Sequence, residues 1–277
     1  MEKEPILVVG LGEVGRAIYD IIKERGFNVF GYDLDEKKSI HALESVPKKV
    51  KVMHICFPMF DKETFIKECI KYMNRFNPEL TVIESTVIPG TTREIYEKTK
   101  KQIVHSPIRG KHPNLQRHIK FWTKWIGSPT KEAALKAKEY YEKIGLKVIV
   151  AENSETTELA KLIETVYRAL LIAWWQEVHR MSKIFGSNIM EICKFVLEVH
   201  EVLKDRPVYY PAVIRGHCLI PNTRLLLNAL KENNFLKFIL TSNEKRAEEL
   251  KNERLMKEVE EIKKEIWKKY TPQWYYE

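Results

Sequence analysis

The 277-residue sequence predicts an α/β protein in which a doubly wound parallel sheet is followed by a smaller all-α domain joined by a long helix. Three observations predict this class. Short β-branched runs alternate with longer helical periods up to Val150, a glycine-rich turn follows the first run, and strand signals then stop. The length favours two domains, which we predict at residues 1–152 and 153–277.

The individual elements follow from periodicity. Strands are predicted at 6–9, 28–32, 50–57, 80–84, 103–105, 125–127 and 147–150, and helices between them at 14–25, 62–76, 91–101 and 131–144. The segment 155–185 continues without Gly or Pro for about eight turns and predicts the joining helix. Helices at 189–203, 222–231 and 243–269 complete the second half.

Composition excludes several function classes. No apolar stretch approaches the about 20 residues that a membrane span needs, and the N-terminal sequence lacks the features of a leader, so we expect a cytoplasmic protein and no membrane partner. The net charge of +9 comes with lysines that alternate with glutamates over 245–269, which indicates a solvated helix face rather than a nucleic-acid surface. The four cysteines lack paired spacing, so neither a disulfide framework nor a metal site is expected.

The first predicted strand runs into the sequence GLGEVG, and an amphipathic helix follows, which is the order of a dinucleotide-binding Rossmann unit. Gly10 permits the tight turn, Gly12 lets the backbone approach a pyrophosphate, and Gly15 lets the helix pack on the strand. Asp33 ends the second strand, where its carboxylate can accept hydrogen bonds from ribose hydroxyls and repel a 2′-phosphate. The sequence therefore predicts NAD as the cofactor. Lys37 and Lys38 leave NADP open, and a glycine turn without a ligand is the alternative.

Four further segments carry a family resemblance. The sequences HICFP at 54–58, ESTVIPGTT at 84–92, ELAKL at 158–162 and GHCLIP at 216–221 resemble motifs of the UDP-glucose/GDP-mannose dehydrogenase family. This family lies within the 6-phosphogluconate and β-hydroxyacid dehydrogenase superfamily. The turn, Asp33 and the resemblance together give the expected cofactor-binding residues Gly10, Gly12, Glu13, Val14, Gly15, Asp33, Phe57, Pro58 and Thr86.

The resemblance implies a catalytic set of Cys218, Lys161 and Thr86. An alcohol can transfer its hydride only if a base also accepts its hydroxyl proton. The resemblance assigns this proton transfer to Lys161. The resemblance also implies that Cys218 captures the aldehyde as a thiohemiacetal, which a second NAD oxidises to a thioester that water cleaves. The alternatives are a solvated helix lysine and a buried structural cysteine. Cys56 and Cys193 fit the latter description better than Cys218 does.

The sequence departs from the family at several positions. Thr165 stands where the family has an asparagine, Asn222 where it has an aspartate, and Ile108 where it has an acidic residue. An amide cannot act as a general base, so water activation is in question. The loop at 105–113 is basic and suits an anionic group, and an ordinary solvated loop is the alternative. The expected substrate-binding residues are Arg109, Lys111, Thr165, His217 and Asn222.

We therefore expect an NAD-dependent dehydrogenase, acting on a primary alcohol of a sugar-like or anionic substrate, nucleotide sugars included. The family carries a third, nucleotide-sugar-binding domain that these residues do not contain, so a truncated form is expected. A homodimer built on the long helix is the expected assembly. Two alternatives stay open: a single-step β-hydroxyacid-type dehydrogenase without covalent catalysis, and a non-catalytic NAD-binding module.

Overall fold

The computed structural model describes residues 4–267. Five parallel strands form the main sheet in the order β2-β1-β3-β4-β5. Two more strands, β6 and β7, pair in parallel beside it, and a single bridge joins His105 to Gly127. The strands are β1 Ile6–Val9, β2 Val29–Tyr32, β3 Val52–Ile55, β4 Leu80–Ile83, β5 Ile103–His105, β6 Lys124–Ile126 and β7 Val148–Val150.

Helices connect these strands and form the rest of the described chain. They are α1 Glu13–Glu24, α2 Lys62–Phe76, α3 Thr91–Thr99, α4 Leu115–Phe121, α5 Lys131–Lys143, α6 Ser154–Ile184, α7 Ile189–Leu203, α8 Leu219–Leu230, α9 Asn234–Glu249 and α10 Glu253–Ile262. A short 3₁₀ helix spans Leu43–Ser45, and a π-helical turn spans Lys263–Trp267. The predicted α/β class is confirmed.

The inner strands are buried along their whole length because helices cover both faces of a doubly wound sheet. Every residue of β1, β3 and β4 is buried. The apolar face of α1, which includes Ile18, Ile21 and Ile22, packs into the same core as Val8 of β1. The carboxyl ends of the strands therefore meet at one edge, where α/β proteins carry their ligands.

Two predictions of secondary structure were wrong. Residues 243–269 do not form a single helix, because α9 begins already at Asn234 and α10 starts anew after Asn252. The Asn233 side chain caps α9, and the Asn252 side chain accepts from two backbone amides of α10, so each asparagine starts a helix. The segment after Trp267 lies outside the described residues. Helix α4 lies in a segment for which the sequence analysis predicted no element, and it buries Leu115 and Ile119 one turn apart in the core.

The chain divides into two compact units, one up to Lys161 and one from Leu162 onward. The first contains the sheet. The second contains most of α6 together with α7 to α10, and its described core includes Ala169, Ala173, Leu226 and Ile239. The domain boundary at residue 152 stays a prediction. Within residues 4–267, none of the helices has both the length and the apolarity needed to cross a membrane.

Candidate functional site

The glycine-rich turn between β1 and α1 depends on missing side chains. Gly10 adopts a φ of +90°, and a Cβ there would lie 2.7 Å from the backbone nitrogen of Phe57. A Cβ on Gly15 would lie 1.7 Å from the carbonyl oxygen of Gly10, so helix and turn can approach this closely only with glycine. At Gly12 a Cβ would meet no atom within 4 Å, so open space lies in front of the turn.

Asp33 connects the end of β2 to this turn. Its Oδ2 accepts a hydrogen bond of 2.6 Å from the backbone amide of Leu11, and its Oδ1 accepts one of 2.9 Å from Asp35. Each carboxylate oxygen has two lone pairs, so both retain capacity for another donor. The predicted ribose-binding residue therefore also orders the turn beside which a ligand would lie.

A cavity of about 620 Å³ opens beside the turn, at the point where the strand order reverses between β1 and β3. Its volume is in the range of small-molecule sites. Five of the predicted cofactor-binding residues line it: Gly10, Gly12, Asp33, Phe57 and Pro58. Glu13, Val14 and Gly15 form the first turn of α1, whose N-terminus has no side-chain cap among the described residues. Backbone amides at such an end favour an anion.

Thr86 lies half-buried in the loop between β4 and α3. The same loop is tied to α6 by Glu158, which sequence analysis quoted within a motif without assigning it a role. The Glu158 carboxylate accepts hydrogen bonds from the amide of Gly90 (2.6 Å), the amide of Thr92 (2.8 Å) and the Thr92 hydroxyl (2.6 Å). Burial outweighs these hydrogen bonds and raises the pKa of Glu158 to about 7. The two motifs thus bind each other.

Lys161 lies half-buried one turn after Glu158, near the start of α6. This start is held at the carboxyl ends of the strands, since His105 Nδ1 lies 2.8 Å from the hydroxyl of Thr157 and its Nε2 lies 3.1 Å from the carbonyl of Ser85. Burial lowers the pKa of His105 to about 3, and the charges of Lys124 and Lys161 act in the same direction. Lys161 is therefore within electrostatic reach of His105.

A charged group that the sequence analysis missed lies inside the sheet. Glu84 accepts hydrogen bonds from His54 Nδ1 (2.9 Å), the Tyr141 hydroxyl (2.6 Å) and Lys124 Nζ (2.6 Å). Lys124 also donates to the carbonyl of Ser106. Burial alone would raise the pKa of Glu84, but Lys124 and His54 outweigh it and lower that pKa to about 2. Glu84 is therefore an ionised carboxylate in the core. The one signal in the sequence was that charged residue types occur in or next to predicted strands.

Cys218 is exposed and occupies the N-cap of α8. The other three cysteines differ from it. Cys69 and Cys193 are buried, Cys56 is half-buried, and burial raises the pKa of all three thiols. His217, the preceding residue, is exposed as well. Among the four thiols, Cys218 is the one most accessible to reagents.

The two substituted positions, Thr165 and Asn222, contact each other in the second unit. Asn222 Nδ2 donates to the Thr165 hydroxyl at 3.0 Å, and that hydroxyl donates to the carbonyl of Leu162 at 2.9 Å. Both side chains are buried. The pair is neutral and provides no carboxylate, so it orders α6 against α8 without offering a general base.

The basic loop has structural contacts of its own. Arg109 donates to the carbonyl of Thr123 at 2.6 Å, and its guanidinium lies 5.0 Å from the ring centre of Trp122. The Lys111 side chain is exposed, and Ile108 is buried in the core. The loop thus exposes the Lys111 side chain, and Arg109 binds Thr123 and lies against Trp122. Among residues 4–267, no group of His, Cys, Asp and Glu has the arrangement of a metal site.

The strand order, the glycine turn and the helical second unit define a Rossmann-type α/β protein. Residues 155–247 match the UDP-glucose/GDP-mannose dehydrogenase family, central domain. The match contains two of the four motifs that carry the resemblance, ELAKL at 158–162 and GHCLIP at 216–221, so the resemblance to this family is confirmed over this region.

The chain is also similar in sequence to curated dehydrogenases. The chain is 28% identical over 257 residues to a UDP-N-acetyl-D-mannosamine dehydrogenase of Methanocaldococcus jannaschii, covering 77% of this chain and 59% of the relative. It is 26% identical over 281 residues to the enzyme of the same name from Methanococcus maripaludis, covering 86% of this chain and 64% of the relative. The chain therefore spans only about three fifths of the length of these relatives.

Among solved structures, the UDP-D-ManNAc dehydrogenase from Pyrococcus horikoshii superposes with a TM-score of 0.76 at 21% identity. The match covers 87% of this chain and 68% of that chain. At this identity the likeness establishes the shared fold.

Proposed function

We propose that the protein is an NAD-dependent dehydrogenase that oxidises a primary alcohol of a sugar-like or anionic substrate. One observation carries the proposal: the glycine turn with its cavity and the start of the Lys161 helix lie at the same edge of the sheet. This is the edge where α/β enzymes bind ligands. The names of the relatives support a nucleotide sugar as the substrate class, and the net charge of +9 favours an anionic one.

The residues of the turn fit a dinucleotide. Gly12 leaves room for a pyrophosphate beside the N-terminus of α1, and Asp33 retains lone pairs for ribose hydroxyls. Phe57 and Pro58 supply apolar lining in the same cavity. When bound, NAD supplies the hydride acceptor for the oxidation. The Asp33 carboxylate would repel a 2′-phosphate, which favours NAD over NADP.

Lys161 and Thr86 are proposed to act on the hydroxyl group of the substrate alcohol. The lysine amine takes up the hydroxyl proton as the carbonyl forms, either directly or through a water molecule. Thr86 lies in the loop that Glu158 ties to the same helix, so its hydroxyl can orient the coenzyme or the alcohol. The ammonium group formed by this proton transfer then donates a hydrogen bond to the new carbonyl oxygen.

Cys218 is proposed to retain the carbon after the first oxidation. The sulfur attacks the aldehyde, a C–S bond forms, and the aldehyde oxygen takes up a proton. This attachment keeps the carbon in place for a second oxidation, after which water releases the acid. The exposure of Cys218 and its place at the positive end of α8 support the role, since a thiolate is the reactive species. The exposed His217 and Lys111 are proposed substrate contacts.

A second candidate is a single-step dehydrogenase that stops at the carbonyl. It is favoured by the Thr165–Asn222 pair, in which an amide donates to a hydroxyl and no carboxylate is present to activate water. In this version Lys161 keeps its role and Cys218 has none. The two candidates differ in how many NADH molecules form per product.

The test is a product assay on the purified chain, with NAD and a panel of nucleotide sugars and simple hydroxyacids. We expect two NADH per product acid. Cys218→Ser should stop at the aldehyde with one NADH, Lys161→Ala should abolish turnover, and Cys193→Ser should leave both steps intact. One NADH per turnover with an indifferent Cys218→Ser establishes the single-step candidate instead. NAD binding without turnover on the whole panel contradicts both.

A homodimer is proposed on α6. Within the second unit this helix exposes Ile163, Tyr167, Trp174, Met181 and Ile184, with Ile184 at 78% relative exposure. Their spacing of three, four or seven residues places them on one face, and such a stripe is typical of a helix that packs on a second copy. Light scattering should give twice the chain mass, and Trp174→Glu should give the monomer mass. A monomeric wild type at micromolar concentration contradicts the proposal.

We also propose a cytoplasmic location. Among residues 4–267 none of the four cysteines forms a disulfide, and Cys218 is exposed. Exposed cysteines stay reduced in a reducing compartment, which supports the proposal. Cell fractionation with a tagged chain tests it.

A further inference from the structure

The Cys218 loop is short and has two fixed ends. Ile214 is buried in the apolar core of the second unit, and α8 begins at Leu219. Only residues 215–218 lie between these points, and Gly216 adopts a φ of +95°. Because so few residues connect the ends, the direction of the chain at Ile214 limits where the Cys218 sulfur can lie.

The backbone of Ile214 is held on both polar atoms by one side chain of α9. The Ile214 amide donates to Asn243 Oδ1 at 2.6 Å, and Asn243 Nδ2 donates to the Ile214 carbonyl at 3.3 Å. An amide side chain that pairs with both groups of one residue substitutes for a neighbouring strand. It thereby fixes the orientation of the peptide planes as well as their position.

The partner amide on α6 is Gln176, which is fully buried. Its Nε2 donates to the carbonyl of Ala212 at 2.7 Å, and its Oε1 accepts from the Ser242 hydroxyl at 2.8 Å. Gln176 Nε2 also lies 3.4 Å from Asn243 Oδ1. The two amides therefore bind residues two positions apart in the segment between α7 and α8, and their own orientations are fixed by each other and by Ser242.

We propose that Asn243 is a positioning residue for Cys218, acting through the backbone of Ile214, with Gln176 as its support. The proposal rests on the proposed function of Cys218. Asn243 touches no reacting atom in this account. It sets the direction from which residues 215–218 start and so keeps the sulfur at the N-terminus of α8.

The experiment compares three variants of the full chain. Asn243→Leu keeps the size of the side chain and removes both hydrogen bonds, and Asn243→Asp keeps only the acceptor for the Ile214 amide. Asn233→Ala is the matched control, because Asn233 caps the same helix α9 through the amide of Leu236 and does not contact Ile214. All three should lower the thermal midpoint.

Two readouts separate positioning from folding. The first is the rate at which iodoacetamide alkylates Cys218 at pH 7, measured on the Cys218 peptide. The second is the rate of acid formation from added aldehyde with NAD, separated into kcat and KM. Small displacements of a nucleophile cost large factors in rate, so Asn243→Leu should lower this kcat about tenfold and slow alkylation about fivefold, with KM unchanged. Asn243→Asp should recover part of each, and Asn233→Ala should match the wild type.

The proposal is overturned if Asn243→Leu alkylates at the wild-type rate, or if Asn233→Ala loses as much as Asn243→Leu. The alkylation readout needs no turnover. If the wild type forms no acid, the function proposed for Cys218 fails, whereas the alkylation rates still decide whether Asn243 positions the thiol.

Discussion

The glycine turn before α1 and the Cys218 loop before α8 both lead into a helix N-terminus, but they are held by different means. The turn is shaped by its own residues, since a side chain at Gly15 would collide with Gly10 only five positions away. The Cys218 loop follows a segment whose backbone is bound at Ile214 by Asn243 and at Ala212 by Gln176, and both amides are distant in sequence. The conformation of a turn is set by residues that are close in sequence, whereas a hydrogen bond from a distant side chain has no counterpart in the local sequence.

The buried polar groups near the two sites differ in charge as well. The first unit contains the ionised Glu84–Lys124 pair, and the second unit contains the neutral amides of Gln176 and Asn243. An unpaired buried charge costs more than an unpaired amide. We therefore expect the largest stability effects in the first unit and smaller, more local ones in the second.

The largest effect is expected from Lys124→Met, which leaves Glu84 without its ammonium partner. Breaking a buried pair in this way should lower the free energy of unfolding by about 3–5 kcal/mol, measured by urea denaturation. Lys120→Met is the control, because Lys120 pairs with Glu24 at the exposed surface and should cost less than about 1 kcal/mol. Adding Glu84→Gln to Lys124→Met should restore part of the loss. Equal costs for Lys124→Met and Lys120→Met would contradict the charge difference.

Gly15→Ala should follow, at about 3 kcal/mol, because its Cβ would overlap the Gly10 carbonyl oxygen. Gly12→Ala meets open space and should cost no more than about 1 kcal/mol. Titration calorimetry with NAD should then show weaker binding to both variants. For Gly12→Ala the loss arises because the new methyl group fills the room proposed for the pyrophosphate. A stable Gly12→Ala with unchanged NAD affinity would remove that role from Gly12.

Glu158→Gln should lower the free energy of unfolding by an amount that depends on pH. The folded-state pKa of Glu158 is raised to about 7 from an ordinary 4.5, so the folded state binds its proton more tightly than the unfolded state between these values. The stability contributed by this proton is present below pH 4.5 and is lost as pH rises through 7. The deficit of Glu158→Gln relative to the wild type should therefore shrink by about 2 kcal/mol between pH 5 and pH 8.

Glu155→Gln is the matched control for that prediction. The Arg93 hydrogen bond lowers the pKa of Glu155, so its contribution has the opposite sign. The deficit of Glu155→Gln should not shrink between pH 5 and pH 8, measured by denaturation at each pH. If the stability difference between Glu158→Gln and the wild type stays constant over this pH range, burial does not raise the pKa of Glu158 as inferred.

The smallest effect is expected from Gly216→Ala in the Cys218 loop. Gly216 has positive φ and open space around it, so the cost is backbone strain alone, about 1–2 kcal/mol. Gly186→Ala carries the same kind of strain away from this loop and should cost a similar amount. Only Gly216→Ala should change the alkylation rate of Cys218. Similar alkylation in both variants would mean that the loop tolerates a new backbone conformation.

Some features of the fold depend on residues that are close in sequence, and others depend on single side chains or weak periodic patterns. The seven strands, the helix 155–185 and the role of Gly15 followed from periodicity and from residues within one turn of each other. Helix α4 was missed because only Leu115 and Ile119 of its three apolar residues are spaced one turn apart, and Phe121 is exposed. The break at 250–252 was missed because a lysine- and glutamate-rich sequence continues through it, and the cap at Asn252 is a single side chain.

By itself the sequence determined the α/β class, the glycine turn with Asp33, and the resemblance to the UDP-glucose/GDP-mannose dehydrogenase family, because each of these depends on neighbouring residues or a fixed period. Only the tertiary structure decided that Glu158 binds Thr92, that Thr165 contacts Asn222, and that Asn243 holds Ile214. These partners are separated by 66, 57 and 29 positions. Hydrogen bonds between such distant residues form only after the core has brought their elements together, and no local pattern records them.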